Sequence, residues 1–358
     1  LPFKPILSTL LLSGAIFSAG AAFSATASDA ASNTTPAQGQ TPQMPQTPFS
    51  EFAGADGALT VFPRGDYVEP YSAIKALIAA HRLGVDVHAQ AEAFTAFIKP
   101  FQQANGPFPR ICRSNGDRWL ACGPSDADDS LAVMWCALSS EVLPEDRRLD
   151  ATCERALENL ATLWEPQKET FRAMFGGQAA YFADNVEVMM FLKRLRAHKS
   201  SFTRHVDALA KLPSQAVMED ALRRNYGYDP ARTLEPKVAS LPPTPYAFYP
   251  YGVAPLYPMI YDLRTGAERK HDWAAWRAKY GKQWLDGKLD HFPWGLAAWA
   301  AYQSGDRAST QAWLDNSVQW KKDNRWNIME EGMQLGLKTA LAQSPETSGR
   351  SHKRTKQN

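Results

Sequence analysis

The stretch Asp128–Ser139, D-D-S-L-A-V-M-W-C-A-L-S, is apolar on nearly every side after its first three residues. A helix of that kind has no wet face and has to be buried all round. The next helical stretch, Asp150–Trp164 (D-A-T-C-E-R-A-L-E-N-L-A-T-L-W), carries a single apolar stripe of Cys153, Leu157, Leu160 and Trp164. That is the i, i+3, i+4, i+7 spacing of a helix lying on a core with its other side in water. The alternation recurs along the chain. Val68–Leu83, Asn185–Leu195 and Trp294–Tyr302 are apolar nearly all round, whereas Val87–Gln103 is striped by Phe94, Phe97, Ile98 and Phe101, and Asp306–Lys322 by Trp313, Leu314 and Val318. Buried helices begin near Val68, Asp126, Asp184, Gly252, Pro293 and Met329. A degenerate repeat of helical hairpins, with an inner ring of buried helices inside an outer ring of amphipathic ones, accounts for both patterns. The fold class predicted is all-α, an (α/α)6-type toroid. The polar residues after Leu341 offer no sixth outer helix, so the ring is either incomplete at its C-terminal end or closed by the N-terminal segment.

The flanks bound the folded part. Residues 1–27 read as a secretory signal peptide: Lys4 supplies the charge, Ile6–Phe17 the apolar run, and Ala25–Ala27 an A-x-A site. Residues 28–48, rich in Thr, Pro, Gln, Ala and Ser, cannot bury a core and read as a disordered linker. Residues 344–358 form a polar, basic tail, which leaves 49–343 as the toroid domain. A periplasmic or secreted location follows, with no membrane attachment after signal cleavage. The four cysteines fit an oxidising compartment, and the expected bridges are Cys112–Cys122 within one loop and Cys136–Cys153 across one hairpin. A net charge of +2 gives no reason to propose nucleic acid as a partner. No Walker loop, G-x-S-x-G, H-E-x-x-H or dinucleotide motif is present, so neither a cofactor nor a metal is expected.

In a ring whose inner helices run the same way, their N-termini meet at one mouth. The residues there are acids and aromatics: Tyr67 and Glu69, Asp126, Asp128 and Asp129, Tyr181, Asp184 and Glu187, Tyr249 and Tyr251, His291 and Trp294, Glu330 and Glu331. Carboxylates supply acid and base, and aromatic faces pack on sugar rings. Acids also gather at helix starts for capping and for the macrodipole alone, worth about 0.3–1 kcal/mol each. The segment Ser125–Ser130 (S-D-A-D-D-S) exceeds what a cap requires, because one cap needs one side chain. It is read as functional, with a solvated cap or a calcium site as alternatives.

These two segments, Glu69 with the helix that follows it (E-P-Y-S-A-I-K-A-L-I-A) and Ser125–Leu131 with its helix (S-D-A-D-D-S-L-A-V-M-W), are similar to the acid-bearing first and second inner helices of glycoside hydrolase family 8, within the six-hairpin glycosidase superfamily. The resemblance implies a proton-donor role for Glu69, with Asp126 or Asp128 holding the sugar at the cleavage point. Pro70 stands where that family has a glycine-rich context, and a clear counterpart of its later base is missing, with Asp290 and Asp184 as candidates. The expected function is an exported glycoside hydrolase acting on a polysaccharide or oligosaccharide, with Glu69, Asp126 and Asp128 catalytic and Tyr67, Asp129, Tyr181, Asp184, Tyr251, His291 and Trp294 binding substrate. The alternatives are a non-catalytic toroid that binds glycan or a partner in envelope polysaccharide machinery, and a polysaccharide lyase using Tyr181, His291 and Arg110.

Overall fold

The computed structural model describes residues 47–114, 118–227, 248–249 and 252–343. Residues 1–27, read above as a signal peptide, nearly all of the expected linker, the expected tail and Tyr251 therefore lie outside the described residues. Within them the inner positions of a ring are taken by α1 (Pro70–Arg82), α3 (Asp128–Ala137), α5 (Phe182–Ala197), α9 (Leu256–Ile260), α11 (Gly295–Gln303) and α13 (Ile328–Gln343). The outer positions are taken by α2 (His88–Ile98), α4 (Asp150–Leu163), α8 (Gln215–Tyr226), α10 (Gly266–Leu285) and α12 (Arg307–Lys322), with short α6 (Lys199–Arg204) and α7 (Val206–Ala210) between α5 and α8. The inner helices pack in chain order, α1 on α3, α3 on α5, α5 on α9, α9 on α11 and α11 on α13, and α13 returns to α1. The fold is an all-α toroid. Its ring is closed by α13 itself, and the described residues contain no outer helix after it.

The sequence pattern explains who sits where. In α1 every residue from Pro70 to Ala80 is buried, whereas in α2 only Ala91, Phe94, Thr95 and Ile98 are. Full burial of an Ile or Leu is worth about 1.5–3 kcal/mol, so Ile74, Leu77 and Ile78 hold α1 inside the ring. Closure depends on a close approach. A Cβ built on Gly332 of α13 would lie 2.6 Å from the Ala76 carbonyl oxygen and 2.9 Å from its Cα, so only glycine lets the two backbones meet there. None of the described helices is long and apolar enough to cross a membrane.

A small sheet stands on the mouth side: β1 (Tyr67–Val68), β2 (Pro109–Arg113) and β3 (Trp119–Pro124), antiparallel in that order, with Tyr67 opposite Cys112. Both expected disulfides are present. Cys112–Cys122 ties β2 to β3, and Cys136–Cys153 ties α3 to α4. A second pair, β4 (Trp164–Glu165) with β5 (Thr170–Phe171), leads into the loop before α5.

Candidate active site

Five of the six inner-helix starts, those of α11, α13, α1, α3 and α5, are joined in series by hydrogen bonds. The backbone N–H of Ile328 donates to the Val61 carbonyl, and that of Val61 to the Tyr67 carbonyl, linking the start of α13 to that of α1. The Ser125 hydroxyl donates to Glu69 Oε1, and the Asp126 N–H reaches the same oxygen at 3.3 Å, linking α1 to α3. The Ser130 hydroxyl donates to the Asp184 carbonyl at 3.4 Å, linking α3 to α5. At α11 the Gly295 N–H donates to Glu330 Oε2 at 2.6 Å, linking it to α13.

Glu69 is the backbone cap of α1, yet its side chain makes no capping bond. Instead the β1–β2–β3 sheet brings Arg110 beside it. Arg110 Nε donates to Glu69 Oε2 at 2.9 Å and the Tyr67 hydroxyl donates to the same oxygen at 3.2 Å. The Arg110 guanidinium also lies over the Tyr67 ring, 5.3 Å from its centroid. Glu69 is only 4% exposed and accepts from four donors. That is the arrangement of a carboxylate that accepts, with no neighbour placed to take a proton from it. Burial and the Glu69 charge push the Tyr67 phenol up.

Asp126 follows β3 and precedes the extended Ala127. Its side chain reaches solvent, but the protein crowded around it and the nearby Glu69 charge raise its carboxyl above the usual range. Asp128 opens α3, and one extended residue between them sets the two aspartates about 6–7 Å apart along the chain. Asp128 is buried. Its N–H donates to the Ala173 carbonyl at 2.8 Å, and its Oδ2 accepts from the Phe175 N–H at 3.3 Å. Burial outweighs that bond and pushes its carboxyl up to about 6.

Asp129 is fully buried, so the structure does not bring it to the surface of the cleft. One oxygen accepts from the Ser130 N–H and the other has no hydrogen-bond partner among the described residues. Burial, with Asp184 beside it, holds Asp129 well above the ordinary carboxylate range. Burial and the charges of Glu187 and Asp126 do the same to Asp184, which is half-buried.

The aromatic side is built by Trp294 and Tyr249. Trp294 starts α11 in the left-handed region, at φ 51°, and donates from Nε1 to Asp290 at 2.9 Å. The Tyr249 ring stacks on it, with centroids 5.6 Å apart and planes at 15°. Tyr249 lies within electrostatic reach of Asp126, Asp184 and Tyr181. Tyr181 caps α5 through its backbone and is half-buried. His291 is exposed, and its ring packs edge-on against Phe292. Glu330 has a structural position: it caps the neighbouring helix α11, and burial raises its carboxyl to about 7.

Beneath the mouth lies a group whose key residue sequence reasoning passed over. Lys75 pairs with Glu187 at 2.9 Å and donates to the Tyr71 and Tyr257 hydroxyls at 2.7 and 2.9 Å. Glu187 also accepts from Tyr71 at 2.9 Å and from Tyr261 at 2.5 Å. The signal was available: a lone lysine in a helix apolar all round must find a buried partner.

Comparison with known protein families found no match, and neither did comparison with curated proteins. Among solved structures the chain is similar to an α-amylase from Clostridium perfringens, at 11% identity, covering 82% of this chain and 94% of that one with a TM-score of 0.52. A glycosidase variant aligns at 14% identity over 83% of this chain and 95% of that one, with a TM-score of 0.48. At such identity the first likeness establishes a shared fold and nothing about chemistry.

Proposed function

We propose that this chain is an exported glycoside hydrolase that cuts a polysaccharide at the mouth formed by the starts of α1 and α3. One observation carries the reading: Glu69 leaves its own helix uncapped and joins Ser125 and Asp126 across the ring, so the acids at the mouth are a built cluster and not a set of separate caps. The aromatic stack of Tyr249 on Trp294, close to Asp126, is of the type that packs against sugar faces. The two disulfides and the leader-like residues 1–27 support export.

The roles proposed here differ from those the family resemblance implies. Asp126, exposed and raised by its surroundings and by Glu69, is the proton donor to the glycosidic oxygen. Asp128 takes the proton from the attacking water. Glu69, clamped by Arg110, lies beside Asp126, and after burial its charge is the second cause of the raised Asp126 carboxyl. Arg110 is thereby committed to Glu69, which weighs against the lyase alternative. The occupation of both Glu69 oxygens by protein donors favours, as a second reading, a toroid that binds glycan without cutting it.

The test is incubation with neutral glucans and with uronate polymers. New reducing ends without unsaturated-sugar absorbance are expected, and Asp126→Asn is expected to lower kcat by about 10²-fold or more. Reducing ends with that absorbance mean a lyase, and binding alone means the second reading.

A further inference from the structure

We propose that Phe175 is a substrate-binding residue, its exposed ring forming a second aromatic wall of the cleft against which a neutral sugar ring packs, so that the substrate is an uncharged glycan. The inference rests on the carbohydrate reading above and names the substrate class of the same site.

Phe175 is 66% exposed and its neighbour Met174 is 37% exposed. A phenylalanine left in water on a floppy loop would mean little. This loop is bolted down. The Ala173 N–H donates to the Ala179 carbonyl at 2.8 Å and the Gly177 N–H to the Met174 carbonyl at 3.1 Å, closing a tight turn. Two further bonds fix that turn to the start of α3: Asp128 N–H to the Ala173 carbonyl at 2.8 Å, and Phe175 N–H to Asp128 Oδ2 at 3.3 Å. The residue that presents an uncovered apolar ring therefore holds, through its own amide, the carboxylate assigned to activate water. Tyr249, 56% exposed and stacked on Trp294, presents a second ring from the next hairpin of the toroid. Sugar rings offer C–H faces to such surfaces.

Charge selects the class. Glu69, Asp126, Asp128 and Asp184 crowd the same mouth, and Arg110, the cation bonded within this cluster, is paired with Glu69. A polyuronate needs cations to pair with its carboxylates, and the cation bonded within this cluster is already engaged, whereas a neutral hexose polymer needs none.

The experiment uses the full chain and the variants Phe175→Ala and Phe175→Trp, with soluble β-glucan, soluble starch and a uronate polymer as probes. Binding is read by affinity electrophoresis, and KM and kcat by reducing-end release. The expected result is binding of one neutral glucan, weakened about three- to tenfold in Phe175→Ala and restored in Phe175→Trp, with the loss falling on KM more than on kcat. The melting temperature of Phe175→Ala should match the parent, because an exposed ring supports no packing. Equal binding by parent and Phe175→Ala overturns the inference, as does preference for the uronate polymer or no binding of any glycan. If glycan is bound through Phe175 but never cut, the hydrolase reading falls and this inference stands.

Discussion

A carboxylate at a helix start can serve its own helix or something else, and the two uses separate cleanly in this chain. Asp306 serves α12: its side chain accepts from the Ser309 N–H at 3.0 Å. Asn327 does the same at the start of α13, accepting from Met329 and Glu330. Glu69 and Asp128 make no such bond to their own helices and turn to Arg110, Ser125 and the Phe175 amide. Single-residue predictions follow from that difference. If Asp128 is the base, kcat/KM falls as pH drops through about 6, because the group must be ionised to take a proton and its carboxyl stands at about 6. A pH profile checks this, and in Asp128→Asn the acidic limb should vanish along with most of the activity. Glu330 gives a stability prediction. It is buried and raised to about 7, chiefly by desolvation, while its bond from Gly295 opposes the rise. A carboxyl raised in the folded state is protonated there while the unfolded chain has already released its proton. Stability is therefore full below about pH 4.5 and declines as pH rises to about 7, by roughly 3 kcal/mol at 1.36 kcal/mol per unit. Glu330→Gln keeps an acceptor for the Gly295 N–H and loses the titration. Urea unfolding at pH 5 and pH 7 should show a smaller difference for Glu330→Gln than for the parent, and equal differences would count against the account.

At the scale of elements, the α13–α1 contact makes a sharper demand than helix propensity does. Replacing glycine by alanine inside a helix gains about 1 kcal/mol. At Gly332 the new methyl would meet the Ala76 backbone at 2.6 Å, which cannot give way, and overpacking of that kind costs about 1–3 kcal/mol. At Gly336 the new methyl would meet Leu83 Cδ1 at 2.6 Å and Leu83 Cβ at 2.7 Å, and a Cβ moves only with its backbone. Gly332→Ala and Gly336→Ala should each lower the melting temperature; an unchanged or raised value in both would show that the ring does not close here as described. Elements also mark how far sequence reading reaches. Inner and outer helices were legible because burial on all sides and burial on one side leave different periodicities. Val68–Leu83 became α1, Asp150–Trp164 became α4 and Asp306–Lys322 became α12, each within two residues of its ends. The buried helix expected near Gly252 is α9, but its short extent was not legible: Pro255 and Pro258 flank and enter a helix of five residues, and proline punctuates local patterns. The β1–β2–β3 sheet escaped for another reason. It matters through Arg110, whose approach to Glu69 is set by strand pairing and by the Cys112–Cys122 bridge, and neither registers as periodicity. Removing that bridge as Cys112→Ser with Cys122→Ser should cost about 3 kcal/mol of stability by loop entropy. It should also lower activity in conditions where the protein is still folded, which circular dichroism and glycan cleavage at the same temperature would test.

For the whole molecule, the question is what fills the axis of a ring whose inner helices are otherwise apolar. Packing alone would leave Lys75 as an isolated buried charge, and the fold answers it with Glu187 from across the ring. The pair joins α1 to α5, while Tyr257 within α9 and Tyr261 just beyond its end supply hydroxyls to Lys75 and Glu187 respectively. Three inner helices are thus tied through one hydrogen-bonded group below the mouth, and Lys75 also acts electrostatically on Asp126 and Asp184 above it. Neither partner predicts the other in the sequence, because nothing local links them. Desolvating two charges costs several kcal/mol each, so the pair need not be stabilising relative to an apolar pair of the same volume, but breaking it leaves one charge buried alone. Lys75→Met and Glu187→Gln should therefore each destabilise by about 3–5 kcal/mol, whereas the double variant Lys75→Met with Glu187→Met should recover much of that loss. Chemical denaturation of the three variants measures the cycle. The double variant should nevertheless cut glycan less well than the parent at neutral pH. Lys75 opposes the rise in the Asp126 and Asp184 carboxyls, so its loss moves both further up and alters the proton balance at the mouth. If stability is restored and the pH–rate profile is also unchanged, the ion pair is purely architectural. A restored fold with a shifted profile would mean that the axis of the ring sets the charge of the site it supports.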